Sequence, residues 1–281
     1  MATKSTPPVP WSLRKLRIVA AIGGVVVLCL FVGGVLFLID TFTSAGHGSD
    51  RAQSRSQPSA QSSGVSGSVS AGGTTPSPDA ARQDALAAKP MKVLSEQAFQ
   101  PHSLSMQVPG VLTIPRAKSI GPAGVPSGFP HTPSGALAQM AAIDQTALQS
   151  KQLVLARAVL AAWAMPGGPS PQSWSRVVDL RDTMGPTLSD GSAASWALTF
   201  TPIMGQIKGT VEPDFVLPCV DYELDGTIAT TARVGVGLCA RMVWHAGRWM
   251  IGPGAEPYPA PSAWPDTDDA ISAGYLDLRH Q

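Results

Sequence analysis

The sequence predicts an α+β domain carried on a membrane anchor, from a switch in apolar spacing and one uncharged run. Residues 133–165 repeat apolar side chains at intervals of three and four, whereas residues 195–251 repeat them at two. Ile18–Ile39 is apolar throughout and holds no charge. Helices followed by a curled antiparallel sheet make an α+β order.

The apolar run sets the plan of the chain. As a helix it would just cross a hydrocarbon core of about 30 Å. Arg14, Lys15 and Arg17 crowd its N-terminal edge, residues 1–17 contain no acid, and Asp40 stands at the far edge. The positive-inside rule therefore places residues 1–17 as a cytoplasmic basic tail, 18–39 as a transmembrane helix, and the rest outside the cell. The run is longer than the 7–15 residues usual for a signal-peptide core, which favours an uncleaved anchor over cleavage near Thr43-Ser44-Ala45. Residues 40–89 are Ser, Gly, Gln, Ala and Pro with almost no large apolar side chain. Such a segment cannot bury enough surface to offset the entropy of ordering it, so a disordered stalk is expected, reaching about 40 Å as a coil. The weak helical pattern at Pro78–Ala88 is left within that stalk.

Residues 90–281 form the extracytoplasmic domain, large enough for one sizeable core. From Pro90 onward there are 12 Lys+Arg against 15 Asp+Glu, and the whole chain carries +1. That balance lacks the basic footprint of a nucleic-acid binder. Prolines and glycines break residues 90–131 into an extended arm with a short strand at Val111–Ile114. Thr132-Pro133 is an N-cap followed by proline at the first helical position. A long helix is expected from Pro133 to Met165, with a break near Gln149–Ser150, and a shorter one over Pro171–Met184. Strands are expected at Ser195–Phe200, Ile207–Val211, Phe215–Leu224, Thr230–His245 and Trp249–Ile251, with Asp225-Gly226 in a turn. A proline-rich segment, Pro253–Pro265, precedes a short helix from Thr267 whose inward face would carry Ile271, Tyr275 and Leu278.

Of three cysteines, Cys29 lies in the apolar span, and Cys219 and Cys239 fall on neighbouring strands. Leu217, Cys219, Asp221 and Glu223 share one face, as do Arg233, Gly235, Gly237, Cys239 and Arg241. Val216, Val220, Tyr222, Val234, Val236 and Leu238 make the apolar face expected to be core. An exported domain permits a Cys219–Cys239 disulfide, but spacing does not set register, so two unpaired small strand residues stay open as the alternative. The acids and arginines of this face would form an ordinary surface ladder.

No catalytic motif survives inspection. Gly235-Val236-Gly237-Leu238-Cys239-Ala240 matches GxGxxA, yet it lies inside a strand with no helix after it. Ser127 is misplaced for a nucleophile elbow. His47, His102, His131, His245 and His280 are scattered, and Asp266-Thr267-Asp268-Asp269 suits helix capping better than calcium. Asp221 and Tyr222, an acid and a tyrosine suited to proton transfer, are strand neighbours and point to opposite faces. Trp244, Trp249 and Trp264 read as packing. No cofactor or metal is expected.

Two stretches, GFPHTPSGALAQMAAID at 128–144 and ARMVWHAGRWMIGPGAEPYPAPSAWPDTDDAISAGYLDLRH at 240–280, resemble membrane-anchored proteins of actinobacterial conjugative and integrative elements. The plan of basic tail, single span, stalk and exported domain also resembles the bitopic scaffold proteins of type IV secretion. These likenesses imply a cone-shaped domain of the nuclear transport factor-like or cystatin-like kind. They also imply a non-enzymatic scaffold of a conjugative transfer apparatus, partnered by the bilayer and by membrane or secretion-channel proteins, with an oligomer open. The alternative expectation is an extracytoplasmic module that binds or senses a small ligand, with an enzyme of unfamiliar type third. A large open apolar cavity with convergent polar groups would favour the ligand module; a closed core with an exposed apolar patch would favour the scaffold.

Overall fold

Two long strands, β4 (Ala197–Val211) and β5 (Phe215–Thr227), form the antiparallel hairpin around which the domain is built. The structure is a computed structural model that describes residues 77–184, 197–227 and 231–281. These all fall in the second of the chain's two units, Ala71–Gln281. The expected span, with Arg14, Lys15 and Arg17, lies outside the described residues. Among the described residues no helix is long and apolar enough to cross a membrane.

The fold is α+β, a curled half-barrel sheet with helices against it. Its order is β1 (Val111–Ile114), β9 (Leu276–His280), β4, β5, β7 (Met242–His245) and β8 (Arg248–Ile251). Strand β6 (Thr231–Cys239) also pairs with β5, over residues 219–227, while β7 takes residues 215–216 of the same edge. Pairing is antiparallel except between β1 and β9. A separate small hairpin joins β2 (Ser119–Ile120) to β3 (Pro126–Ser127).

Register shifts between Pro202 and Met204, and again between Ile207 and Gly209, bend β4. The sequence predicts two strands here, Ser195–Phe200 and Ile207–Val211, with Pro202 and Gly205 between them. Gly205 and Gly209 are instead where a single strand admits other parts of the fold. A Cβ on Gly205 would lie 3.0 Å from Leu137 Cδ1, and one on Gly209 would lie 2.8 Å from Leu86 Cδ1. Asp225-Gly226 is likewise not a turn but ladder, opposite Arg233 and Ala232. The expected strand over Thr230–His245 breaks at Ala240–Arg241, where the Arg241 side chain turns inward.

Helix α1 (Pro78–Ala88) occupies sequence expected to be stalk, and this corrects the domain boundary at 89/90. Ser77 caps it, its Oγ accepting from Ala80 N–H at 3.2 Å, with proline at the first turn. Its amphipathic signal is weak because the docking is local. Leu86 fills the space over Gly209, and Ala87 C=O accepts from Lys208 Nζ (3.1 Å) and Tyr258 N–H (2.9 Å). Asp84 pairs with Arg241 at 2.8 Å.

Helix α2 (Pro133–Gln149) is capped by Thr132 as the sequence predicts, and Ser150-Lys151 divide it from α3 (Leu153–Trp163). Lys151 takes a positive φ of 54° there, which ends the first helix. Helix α4 runs over Ser175–Met184. Leu137, Met140 and Ile143 of α2 pack with Leu160, Trp163, Trp174, Phe200, Val220 and Trp249 in the main core. Beyond helix α5 (Asp268–Ser272), the expected helical Leu278 is instead in β9, because Gly274 (φ 94°) turns the chain back to the sheet.

Candidate functional site

The described residues hold a polar network inside the domain and large apolar side chains on its surface. Asp144 on α2 is an acid in an otherwise apolar stripe, flanked by Ile143 and Ala147 in the core. Arg176, at the start of α4, reaches it with Nε–Oδ1 at 3.2 Å and Nη2–Oδ2 at 3.4 Å, and also donates to Cys239 C=O at 2.8 Å. Tyr222 Oη, from β5, donates to Asp144 Oδ2 at 2.9 Å. All three side chains are buried. Burial lifts the Asp144 carboxyl above its usual range while the Arg176 charge and hydrogen bond pull it back. Burial opposes the Arg176 charge too, but Asp144 and Glu256 outweigh it and hold the guanidinium protonated. Burial, then Asp144, drive the Tyr222 phenol well above its ordinary value. The network joins α2, α4 and β5. The hollow beside it, between Arg176, Arg241, Trp174 and Glu256, has room for about one water molecule.

The cysteine face of the sheet differs from its expectation. Cys219 and Cys239 are directly opposed in register and form a disulfide. Their face is buried rather than solvated, in a second core with Met204, Leu217, Ala263, Ala270 and Tyr275. Met91 from the arm caps the bridge, its sulfur 3.8 and 3.6 Å from the two Sγ atoms. The segment Pro253–Pro265 lies over β6 as a strap. A Cβ on Gly235 would come within 1.6 Å of Ala263 O, and one on Gly237 within 2.0 Å of Pro261 O. Those glycines, which imitate a nucleotide-binding fingerprint, are where a second backbone rests on the strand. The expected charge ladder forms only at Arg233, which pairs with Glu223 and Asp225 and stacks over Trp264 with 5.0 Å to the ring centroid. Asp221 and Arg241 take no part in it. Asp221 lies under the strap and points away from Tyr222, as alternation requires.

The tryptophans pack as the sequence suggests: Trp249 is buried and Trp244 stacks on His131 with ring centroids 4.4 Å apart. His131 Nε2 also lies 2.9 Å from Asp214 Oδ1. Among the described residues no group of three His, Cys, Asp or Glu side chains is arranged to hold a metal.

Outside, the arm before β1 shows large apolar side chains to solvent. Leu104, Met106 and Val108 are 64, 98 and 90 % exposed. Between them Ser105 is tied down, its N–H donating to Asp266 C=O at 2.8 Å and its hydroxyl bonding the Asp268 carboxylate. The polar residue anchors the arm while its apolar neighbours face outward. Sequence reading passed over this row as a proline-broken arm, and it missed Asp144 and Arg176. The signals available were the alternation Leu-Ser-Met-Gln-Val and a carboxylate four residues after Met140 on an apolar helix face. Compared with protein-family models, curated proteins and solved structures, the chain matches none.

Proposed function

We propose that this is a single-pass membrane-anchored protein whose exported domain acts as a non-enzymatic scaffold that binds other proteins, as a component of a conjugative transfer apparatus. The N-terminal tail is cytoplasmic in this reading, and Arg14, Lys15 and Arg17 set the orientation. Helix α2 lying against a curled sheet suits a cone of the nuclear transport factor-like or cystatin-like kind. The observation that carries the reading is the contrast between a filled interior and exposed apolar side chains at Leu104, Met106 and Val108. A ligand module needs a pocket of a few hundred Å³, and the hollow at Arg176 is far smaller than that.

The test is to crosslink the intact protein in its native membranes, purify it through a C-terminal tag on a flexible linker, and identify what is recovered. Channel or coupling-ATPase proteins enriched over a tagged anchor-plus-stalk control support the scaffold. Met106→Glu is expected to reduce that enrichment at least tenfold while thermal unfolding is unchanged, since the side chain touches almost nothing. Recovery of the protein alone, or of wall material only, counts against the reading and points to a small ligand.

A further inference from the structure

Beneath the strap lies a carboxyl group that the folded domain leaves unserved. Asp221 is fully buried; its Oδ1 takes only a long 3.5 Å bond from Ala263 N–H, and its Oδ2 has no partner. The charged and titratable groups around it supply no counter-charge. Glu223, on its own strand, is an acid, and Arg233 of β6 is engaged by Glu223 and Asp225. Asp266, just past the strap, is a second acid, and Tyr275 beyond α5 donates its hydroxyl hydrogen bond to Pro261 C=O at 2.8 Å. On β4 the register partner is the uncharged Met204.

We propose that Pro261–Trp264 form a pH-released cover, which lifts from β6 when Asp221 ionises and opens the sheet around Asp221, Gly235 and Gly237 to solvent. A carboxylate at this position would be buried without a cation and with a single poor donor, a state that folded proteins avoid. Behind it is the sheet; in front of it are the strap, through Ala263 N–H, and the nearby Tyr275. The strap can leave without breaking a ladder, because its other ties are single contacts: Tyr275 Oη to Pro261 O, Gly237 N–H to Ser262 Oγ at 3.0 Å, Trp264 N–H to Ala98 O at 2.6 Å, Thr267 Oγ1 to Trp264 O at 2.7 Å, and the Arg233 guanidinium over the Trp264 ring. Gly235 and Gly237 offer it a smooth seat with no side chains to interlock. Burial pushes the Asp221 carboxyl well above its ordinary range; the Ala263 N–H pulls it back and Asp266 adds to the rise. The closed form therefore keeps a proton that the open form releases, so closure holds at low pH and is lost as pH rises through the closed-state value. This inference goes beyond the scaffold reading and stands whatever the domain binds.

The test is hydrogen exchange of the full-length protein across a pH series, corrected for base catalysis and read on peptides covering residues 258–266. The opening constant is expected to rise by up to tenfold per pH unit, and in Asp221→Asn it should be flat with pH. Equal slopes in wild type and variant overturn the proposal. Should the variant not fold, carboxyl-carbon NMR of the wild type decides. An Asp221 titration coincident with strap opening supports the cover, and opening at a pH where Asp221 does not titrate overturns it.

Discussion

Asp144, Arg176 and Tyr222 show how a few polar side chains can close an interior that apolar ones would otherwise fill. Removing one member of a buried ion pair leaves the other uncompensated, which costs about 3–5 kcal/mol. Asp144→Ala is expected to cost that much in urea unfolding. Tyr222→Phe, which removes a hydrogen bond to a charged group, should cost about 1.5–3 kcal/mol. The double replacement Asp144→Leu with Arg176→Met should cost clearly less than the two single changes added together, because no charge is then left buried. A double-mutant cycle that came out additive would show that the pair is not coupled. Asp144 was legible in part: it lies four residues after Met140 and four before Leu148, on the stripe read as apolar. Arg176 was not, since its partner is 32 residues away in the chain and only the packing of α4 on α2 joins them.

Among the elements, the strap and β6 explain why glycine stands where a strand would ordinarily carry side chains. Gly235→Ala and Gly237→Ala would each set a Cβ against a carbonyl oxygen, and a loss of about 1–3 kcal/mol or more is expected from overpacking. Gly226→Ala is the control: its Cβ would meet nothing closer than 3.7 Å, and stability should stay within about 0.5 kcal/mol. Thermal unfolding of the three variants separates a seat for the strap from a general intolerance of β-strand substitution. The period-two pattern revealed the β5–β6 pairing and the apolar face of each strand. It hid the covering of the other face, because Leu217, Cys219 and Asp221 alternate as a half-solvated strand does. The strap that buries them comes from a proline-rich stretch with no periodicity of its own. For the same reason the bulged β4 read as two strands, its Pro202 and Gly205 being local signals that the long pairing with β5 overrides.

For the molecule as a whole, the folded unit begins earlier than composition implies. A fragment of residues 90–281 lacks Asp84, the partner of buried Arg241, and lacks Leu86 over Gly209. It is expected to be less stable than a fragment of residues 77–281 by about 1.5–3 kcal/mol, the worth of a hydrogen bond to a charged group. Denaturant midpoints of the two fragments check this, and equal values would show that α1 is only an appendage. The switch from helical to strand spacing was enough to read the α+β class. Where the domain starts was not readable, since α1 is held by point contacts rather than by an apolar face.

Strand β9 is inserted between β1 and β4, so the earliest strand of the sheet waits for the last one. Until Leu276–His280 has been synthesised, β1 has no neighbour and the edge of β4 stays open. A polypeptide arranged this way can pair β4 through β8 as they emerge, but it completes the β1 end of its sheet only after Leu276–His280 has been made.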